Sequence, residues 1–338
     1  MIEIDGSHGE GGGQILRTAV SLASVLRKSV HVSNIRAGRP SPGLSPQHLT
    51  SIEAAAELCD AEVEGLYVGS NAISFEPGQL TGGDFEFDVG TAGSVSLVLQ
   101  TCLLPASISK SVVRMRIRGG TDVRWSPPIE YVAQVHIPQL ERFGVSCELD
   151  IESRGFYPEG GGAIIATCAP SGGLHAVDLG TRGDLKDILG IAFAQNLPEH
   201  VVTRMKHSAL KSLVNFNRVK VQSQITSGSS TGAGIVLAAR YEHSILGEST
   251  LGEKGVRAET IGESCAIDLM ETIDSGATVD EHGLDQLLPY MALADGESTM
   301  LAEELTEHAK TNIWVIERFL GRRFVTSEDG GLVRISTV

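Results

Sequence analysis

The stretch DGSHGEGGGQILRTAVSLASVL, Asp5 to Leu26, decides how the rest of the chain is read. Met1 to Ile4 alternates as a short strand does. After Gln14 the apolar residues Ile15, Leu16, Ala19, Val20, Leu22, Ala23 and Leu26 recur at helical spacing. Five glycines and the carboxylate of Glu10 therefore fill a turn from strand to helix. Backbone N–H groups at a helix start are unpaired, and small residues let a phosphate approach them, with Glu10 placed to hold a divalent cation against it. The same glycines also suit a tight turn that only relieves backbone strain. Their spacing matches neither the P-loop nor the dinucleotide fingerprint. GESTLGEK, Gly247 to Lys254, misses the P-loop too, because Glu253 stands where the lysine is required.

Strand, Asp, Gly-rich turn and apolar helix recur in FEFDVGTAGSVSLVLQTCLLPASI, Phe85 to Ile108. The two copies stay parallel downstream: KSVHVSNIRAGRPSP (Lys28 to Pro42) and KSVVRMRIRGGTDVRWSPP (Lys110 to Pro128) each give a strand, Ile-Arg-x-Gly and a Ser-Pro loop. A second helix follows each (Gln47 to Leu58, then Ile129 to Phe143), and two strands follow that helix, so each copy reads βαβαββ. A more divergent third copy ends the chain, with a turn and apolar helix in Gly276 to Asp295, a strand at Met300 to Leu305, a helix at Thr311 to Leu320 and a hairpin over Asp329-Gly330-Gly331. Between copies two and three the rhythm changes. We read a helix around Ile188, Leu189, Ala192 and Phe193, a second near Val202 to Val214, and strands Val219 to Ile225 and Gly234 to Tyr241, with SGSSTGAG as a flexible connection. The expected organisation is an α/β protein: a large domain with repeats one and two (1–180), a small inserted αβ domain (181–272) and repeat three (273–338).

The chain has 338 residues, ample for several cores, and no apolar run of membrane-spanning length or signal segment, so the cytoplasm is the expected location. Its five cysteines form no C-x-x-C pair and read as reduced structural thiols. A formal charge of −15 argues against sequence-independent binding of long nucleic acid, leaving a short RNA end at a local basic patch or a nucleotide with its metal.

His308, in TEHAKTNIWVIERFLG, precedes a helix that Thr311 or Asn312 can cap, and Glu307 stands beside it to orient the ring. A neutral imidazole is a competent nucleophile toward phosphorus, although a surface His beside a Glu is commonly idle. Arg17, Arg36, Arg39 and His48 gather near the first Gly-rich turn as a candidate site for a phosphate dianion, or as solvated charges. Asp285 and Gln286 sit opposite Leu284, Leu287 and Leu288 on their helix, free to hold a ribose or amino group, or merely to be solvated. Trp125 and Trp314 read as core or rim packing.

The chain resembles the RNA 3′-terminal phosphate cyclases from end to end. The motifs that carry this are DGSHGEGGGQILR, IRAGRPSPGL with the following QHL, RGFYPEGGGAI (Arg154 to Ile164), GEKGVRAE and HAKTNIWVIERFL. The resemblance implies three βαβαββ units like the C-terminal domain of bacterial translation initiation factor three, with a small inserted domain. It implies an ATP-dependent ligase-like enzyme that makes a 2′,3′-cyclic phosphate from an RNA 3′-phosphate, with His308 carrying AMP and Mg2+ or Mn2+ as the cation. By the same resemblance Glu10 is metal-associated, and Gln14, Gln100, Pro127, His282, Gly283, Leu284, Asp285 and Gln286 contact ATP. Arg17, Arg36, Arg39 and His48 then receive the terminal phosphate. His282 stands where the family has a tyrosine packing on adenine. Two other readings share the architecture: a non-catalytic cyclase-like ribosome-assembly protein, which would lack the nucleophile, and an enolpyruvyl transferase, which the motifs do not support.

Overall fold

A computed structural model describes residues 1–9 and 11–338 of the chain; the candidate metal ligand Glu10 lies outside them. Repeat one runs β1 (Ile2–Asp5), α1 (Gly13–Leu26), β2 (Val30–Ser33), α2 (Pro46–Cys59), β3 (Glu62–Glu64), β4 (Ile73–Glu76). β1 and β2 pair in parallel, β4 pairs antiparallel with both β2 and β3, and the sheet order is β1-β2-β4-β3. Repeat two runs β5 (Gly83–Asp88), α3 (Val95–Ile108), β6 (Val113–Gly119) and then one helical segment: α4 (Ile129–Tyr131), a π turn (Val132–His136) and α5 (Ile137–Leu140). It closes with β7 (Ser146–Ser153) and β8 (Gly162–Ala169), in the equivalent order β5-β6-β8-β7.

The third sheet takes its first strand, β9 (Asp178–Leu179), from before the inserted segment. The insertion follows as β10 (Leu185–Gln195), α6 (Glu199–Ser212), β11 (Val219–Thr226), β12 (Gly232–Tyr241), β13 (Ile245–Leu251) and α7 (Ala258–Ser275), with sheet order β11-β10-β12-β13. Repeat three then resumes with α8 (Glu281–Leu293), β14 (Thr299–Ala302), α9 (Glu307–Leu320), β15 (Phe324–Asp329) and β16 (Leu332–Thr337), in the order β9-β14-β16-β15. The repeated α/β architecture expected from the sequence is therefore present.

Differences in detail have physical causes. The segment read as a helix around Ile188 and Phe193 is β10, a strand paired on both sides whose last six residues, Gly190 to Gln195, are all buried. A strand covered on both faces shows a continuous apolar run, and such a run carries no period that separates it from a helix. β13 and α7 were not foreseen as elements. α9 starts four residues earlier than expected, because Thr306 is the N-cap, its hydroxyl accepting from the Ala309 N–H at 3.0 Å.

One continuous core joins the three repeats, with α1 packed against α2, α3 and α9, and a separate core fills the insertion between its sheet, α6 and α7. A third apolar cluster, including Tyr131, Val135 and Phe156 of repeat two and Phe193 and Val236 of the insertion, joins the two. The signature stretch at Arg154 anchors that junction. The buried Arg154 guanidinium pairs with Asp122 at 3.2 Å and with Glu130, hydrogen-bonds Gln224 at 2.8 Å and lies 3.9 Å over the Phe193 ring. A side chain on Gly155 would come within 2.3 Å of the Gly162 backbone nitrogen, so this turn closes only on glycine. Among the described residues no helix is long and apolar enough to cross a membrane, and all five cysteines are buried and free.

Candidate active site

A cavity of about 600 Å3 opens where α1, α3, α8 and α9 meet the Arg124–Pro128 loop and β13. Gln14, Arg17, Gln100, Pro127, His282, Asp285, Gln286 and His308 all line it, so residues spread over nearly three hundred positions share one space. Gly283 and Leu284 do not reach it: Gly283 is packed beside Asp280, and Leu284 is core.

The helix starts explain the convergence. Asp280 caps α8: one carboxylate oxygen accepts from the Gly283 N–H at 2.7 Å and from the Tyr131 hydroxyl at 2.6 Å, the other from the Gly247 N–H at 2.8 Å. One buried carboxylate thus fixes the helix carrying His282 to Gln286 against both repeat two and the insertion, and the His282 ring sits edge-on to Tyr131 at 6.0 Å. Thr306 caps α9, placing exposed His308 in its first turn.

Between these helices the joining residue is Asn312, wholly buried. Pro289 lies inside α8, and having no N–H it cannot take the carbonyl of Asp285 four residues earlier. The Asn312 amide donates to that carbonyl at 2.8 Å, while its oxygen accepts from Thr18 at 2.6 Å and Gln14 at 3.3 Å. Gln14 in turn accepts a hydrogen bond from Arg17. The helices bearing Arg17, Asp285 and His308 are therefore keyed together through one amide.

Electrostatics follow from this packing. Asp285 has its carboxyl pushed up to about 6 by burial, against the opposing pull of His308, His282 and Arg17. The Glu307 carboxylate bonds the Lys310 ammonium at 2.6 Å, and the carboxyl on which the His308 charge acts is that of Asp285, from another helix. The Gln100 Nε2 and Gln286 Oε1 atoms are buried at the cavity wall without a partner among the described residues, polar groups a ligand would satisfy.

The arginine cluster lies beside this cavity at the start of α1. A methyl on Gly13 would come 2.1 Å from His48 Nε2 and 3.0 Å from Arg17 Nη1, and one on Gly12 would lie 3.1 Å from Arg39 Nη2. Arg36 approaches from the loop after β2, donating to the Gly43 carbonyl at 2.8 Å. His48 is the buried member, and its Nδ1 faces the Ser45 hydroxyl at 2.7 Å within a capping box at the start of α2. Burial, then Arg17 and Arg36, push its imidazole down to about 3, so at neutral pH His48 contributes a neutral ring and the arginines carry the charge. Trp125 is 94% exposed on the cavity rim, and Trp314 is half-buried with His8 stacked on it at 3.9 Å.

Sequence reasoning missed Asp280, Tyr131 and Asn312. Asp280, two residues before His282 at a helix start, carried a readable cap signal; Asn312 was read as a cap and serves as a buried bridge, which no local pattern announces. His136 was missed as well. It is buried in the π turn, its imidazole pushed down to about 4 by burial, and it lines a small pocket behind Gln100 and Gln286.

Fold and cavity together define a class: a three-repeat α/β protein with an inserted domain, in which an imidazole, a half-buried carboxyl and a guanidinium border one polar cavity. A family model described as RNA 3′-terminal phosphate cyclase matches residues 8–326. Relatives named RNA 3′-terminal phosphate cyclase include that of Nitrosospira multiformis, 45% identical over 99% of this chain and 96% of its own length. Others are from Methanopyrus kandleri, 44% identical over 95% of this chain and 93% of its own, and Archaeoglobus fulgidus, 45% identical over 95% and 96%. The chain belongs to the RNA 3′-terminal phosphate cyclase family.

Proposed function

We propose that the protein converts an RNA 3′-phosphate into a 2′,3′-cyclic phosphate in the cytoplasm, using ATP and a covalent AMP on His308. The observation that carries this reading is the placing of exposed His308 and half-buried Asp285 in one cavity that shares Arg17 with the cluster of Arg36, Arg39 and His48.

A neutral His308 nitrogen attacks the α-phosphorus of ATP, the bond to pyrophosphate breaks, and the ring loses its other proton as the phosphoramidate forms. Asp285, ionised above about 6, holds the His308 ring or a ribose hydroxyl. Gln100 and Gln286 supply a donor and an acceptor where the nucleotide's polar edges come to rest. An oxygen of the RNA 3′-phosphate then attacks the AMP phosphorus, and the P–N bond breaks as the ring takes a proton back from solvent and becomes neutral imidazole again. The vicinal 2′-hydroxyl attacks the 3′-phosphorus, loses its proton and expels AMP; its fixed position beside the activated phosphate supplies much of this step, and its necessity selects RNA. Among the described residues no three His, Cys, Asp or Glu side chains stand together as a metal site. A divalent cation, Mg2+ or Mn2+, would be held by Glu10, as the family resemblance implies, and would neutralise phosphate charge.

Incubation with α-labelled ATP and Mg2+ tests the reading. Acid-labile AMP on the wild type and none on His308→Ala is the expected result; equal labelling of both removes His308 from the reaction.

A further inference from the structure

A second cavity, of about 750 Å3, lies against the first and shares Val123, Arg124, Trp125, Leu251 and Glu253 with it. Its walls come from the second Gly-rich turn (Thr91 to Ser94), the Phe156-Tyr157-Pro158 turn of the signature stretch, and two loops of the insertion. Gln47, next in sequence to His48, also lines it and accepts from the Ser94 N–H at 2.9 Å. The cavity thus adjoins the nucleotide cavity and reaches the residue next to His48 of the arginine cluster.

Two of its three aromatics, Trp125 and Tyr157, lie outside the packed core. Trp125 is 94% exposed and has a φ of +61°, a left-handed conformation that a bulky side chain adopts only under constraint. Tyr157 is 76% exposed across the same cavity. Neither ring stabilises the core, yet their supports are rigid. The Phe156 N–H donates to Ser230 at 2.9 Å, the adjoining turn is pinned by Arg154, and Gly232 meets the Phe156 ring so closely that a methyl there would lie 2.1 Å away. The Arg124–Glu253 ion pair, 2.8 Å, ties the Trp125 loop to the insertion across the rim. Strain and two large rings held in water on fixed backbone match a stacking platform for unpaired bases.

We propose that this second cavity receives the last bases of single-stranded RNA, stacked on Trp125 and Tyr157, while the terminal phosphate lies at the arginine cluster. This rests on the RNA-end reading of that cluster. It assigns the insertion a role, since its Thr231–Gly232 and Leu251–Lys254 segments form one wall. Recognition by stacking, which every base offers, makes the site tolerant of base identity.

The probe is a 3′-phosphorylated ten-nucleotide RNA and its counterpart lacking the terminal base. Intrinsic fluorescence should be quenched on binding the intact oligomer, the quench should vanish in Trp125→Phe, and the abasic oligomer should bind about tenfold more weakly. Trp125→Ala and Tyr157→Ala should each raise the RNA KM about tenfold relative to the rate of labelling by ATP alone, with Tyr157→Phe restoring it. Equal affinity for the two oligomers, or an unaltered RNA KM in both alanine variants, overturns the proposal. So does a raised ATP KM for labelling in Trp125→Ala, which would make Trp125 an adenine contact. A wild type that AMP does not label, while oligomer discrimination persists, refutes the catalytic reading alone.

Discussion

Asn312→Ala should uncouple the active site from its scaffold. The substitution removes the amide that satisfies the Asp285 carbonyl at 2.8 Å, and the oxygen that accepts from Thr18 at 2.6 Å and Gln14 at 3.3 Å. Asn312 is wholly buried, so water does not replace these bonds without entering the core. With about 1–3 kcal/mol for each buried polar group left unsatisfied, and Thr18 and Asp285 both affected, the loss is about 2–6 kcal/mol. The expected fall in melting temperature is roughly 5 °C. Because the same bonds hold α8 and α9 in register, the AMP-labelling rate should drop at least about tenfold. A double-mutant cycle isolates the cause. Pro289→Ala restores the N–H that the Asp285 carbonyl lacks, so Asn312→Ala should cost about 1–2 kcal/mol less in that background. Calorimetry and single-turnover labelling of the four proteins measure both effects; an Asn312→Ala protein that melts and labels like the wild type, or a cycle without coupling, refutes the reasoning.

Gly13→Ala should impair the arginine cluster, because the added methyl would lie 2.1 Å from His48 Nε2, and that ring is held through Nδ1 by Ser45. A rise of tenfold or more in RNA KM, roughly the effect of 1–3 kcal/mol of overpacking, should exceed any effect on ATP labelling. Arg154→Leu strands Asp122 and Glu130 without their cation and should cost about 3–5 kcal/mol, read as loss of cooperative unfolding or a sharply lower melting temperature. Glu248 gives a pH signature: burial, with Asp280 and Asp268 adding, pushes its carboxyl from 4.5 up to about 8. Between those values the folded state holds a proton that the unfolded chain has released, so stability falls as pH rises across that window. Glu248→Gln should flatten the decline and raise the melting temperature at pH 8 more than at pH 5.

The three repeats were legible because βαβαββ units write their turns, strands and amphipathic helices locally, and a repeat shows itself twice. Strand β10 escaped for the opposite reason, since burial on both faces erases its period. Gln14, Arg17, His282, Asp285 and His308 stood out by residue type and motif, and the structure brings them to one cavity. Residue type alone did not say which carboxyl feels the charge of His308. Glu307 is adjacent in sequence and is taken by Lys310, whereas Asp285 arrives from another helix.

By itself the sequence determined the repeated α/β plan, the Gly-rich helix starts and the nucleophile candidate, because each depends on short-range backbone preferences and side-chain chemistry. Only the tertiary structure decided that Asn312 bridges α8 and α9, that Asp280 locks α8 to the insertion, and that Trp125 stands strained in solvent between two cavities. Those outcomes depend on distances between segments far apart in the chain, and on which polar groups burial leaves in want of a partner.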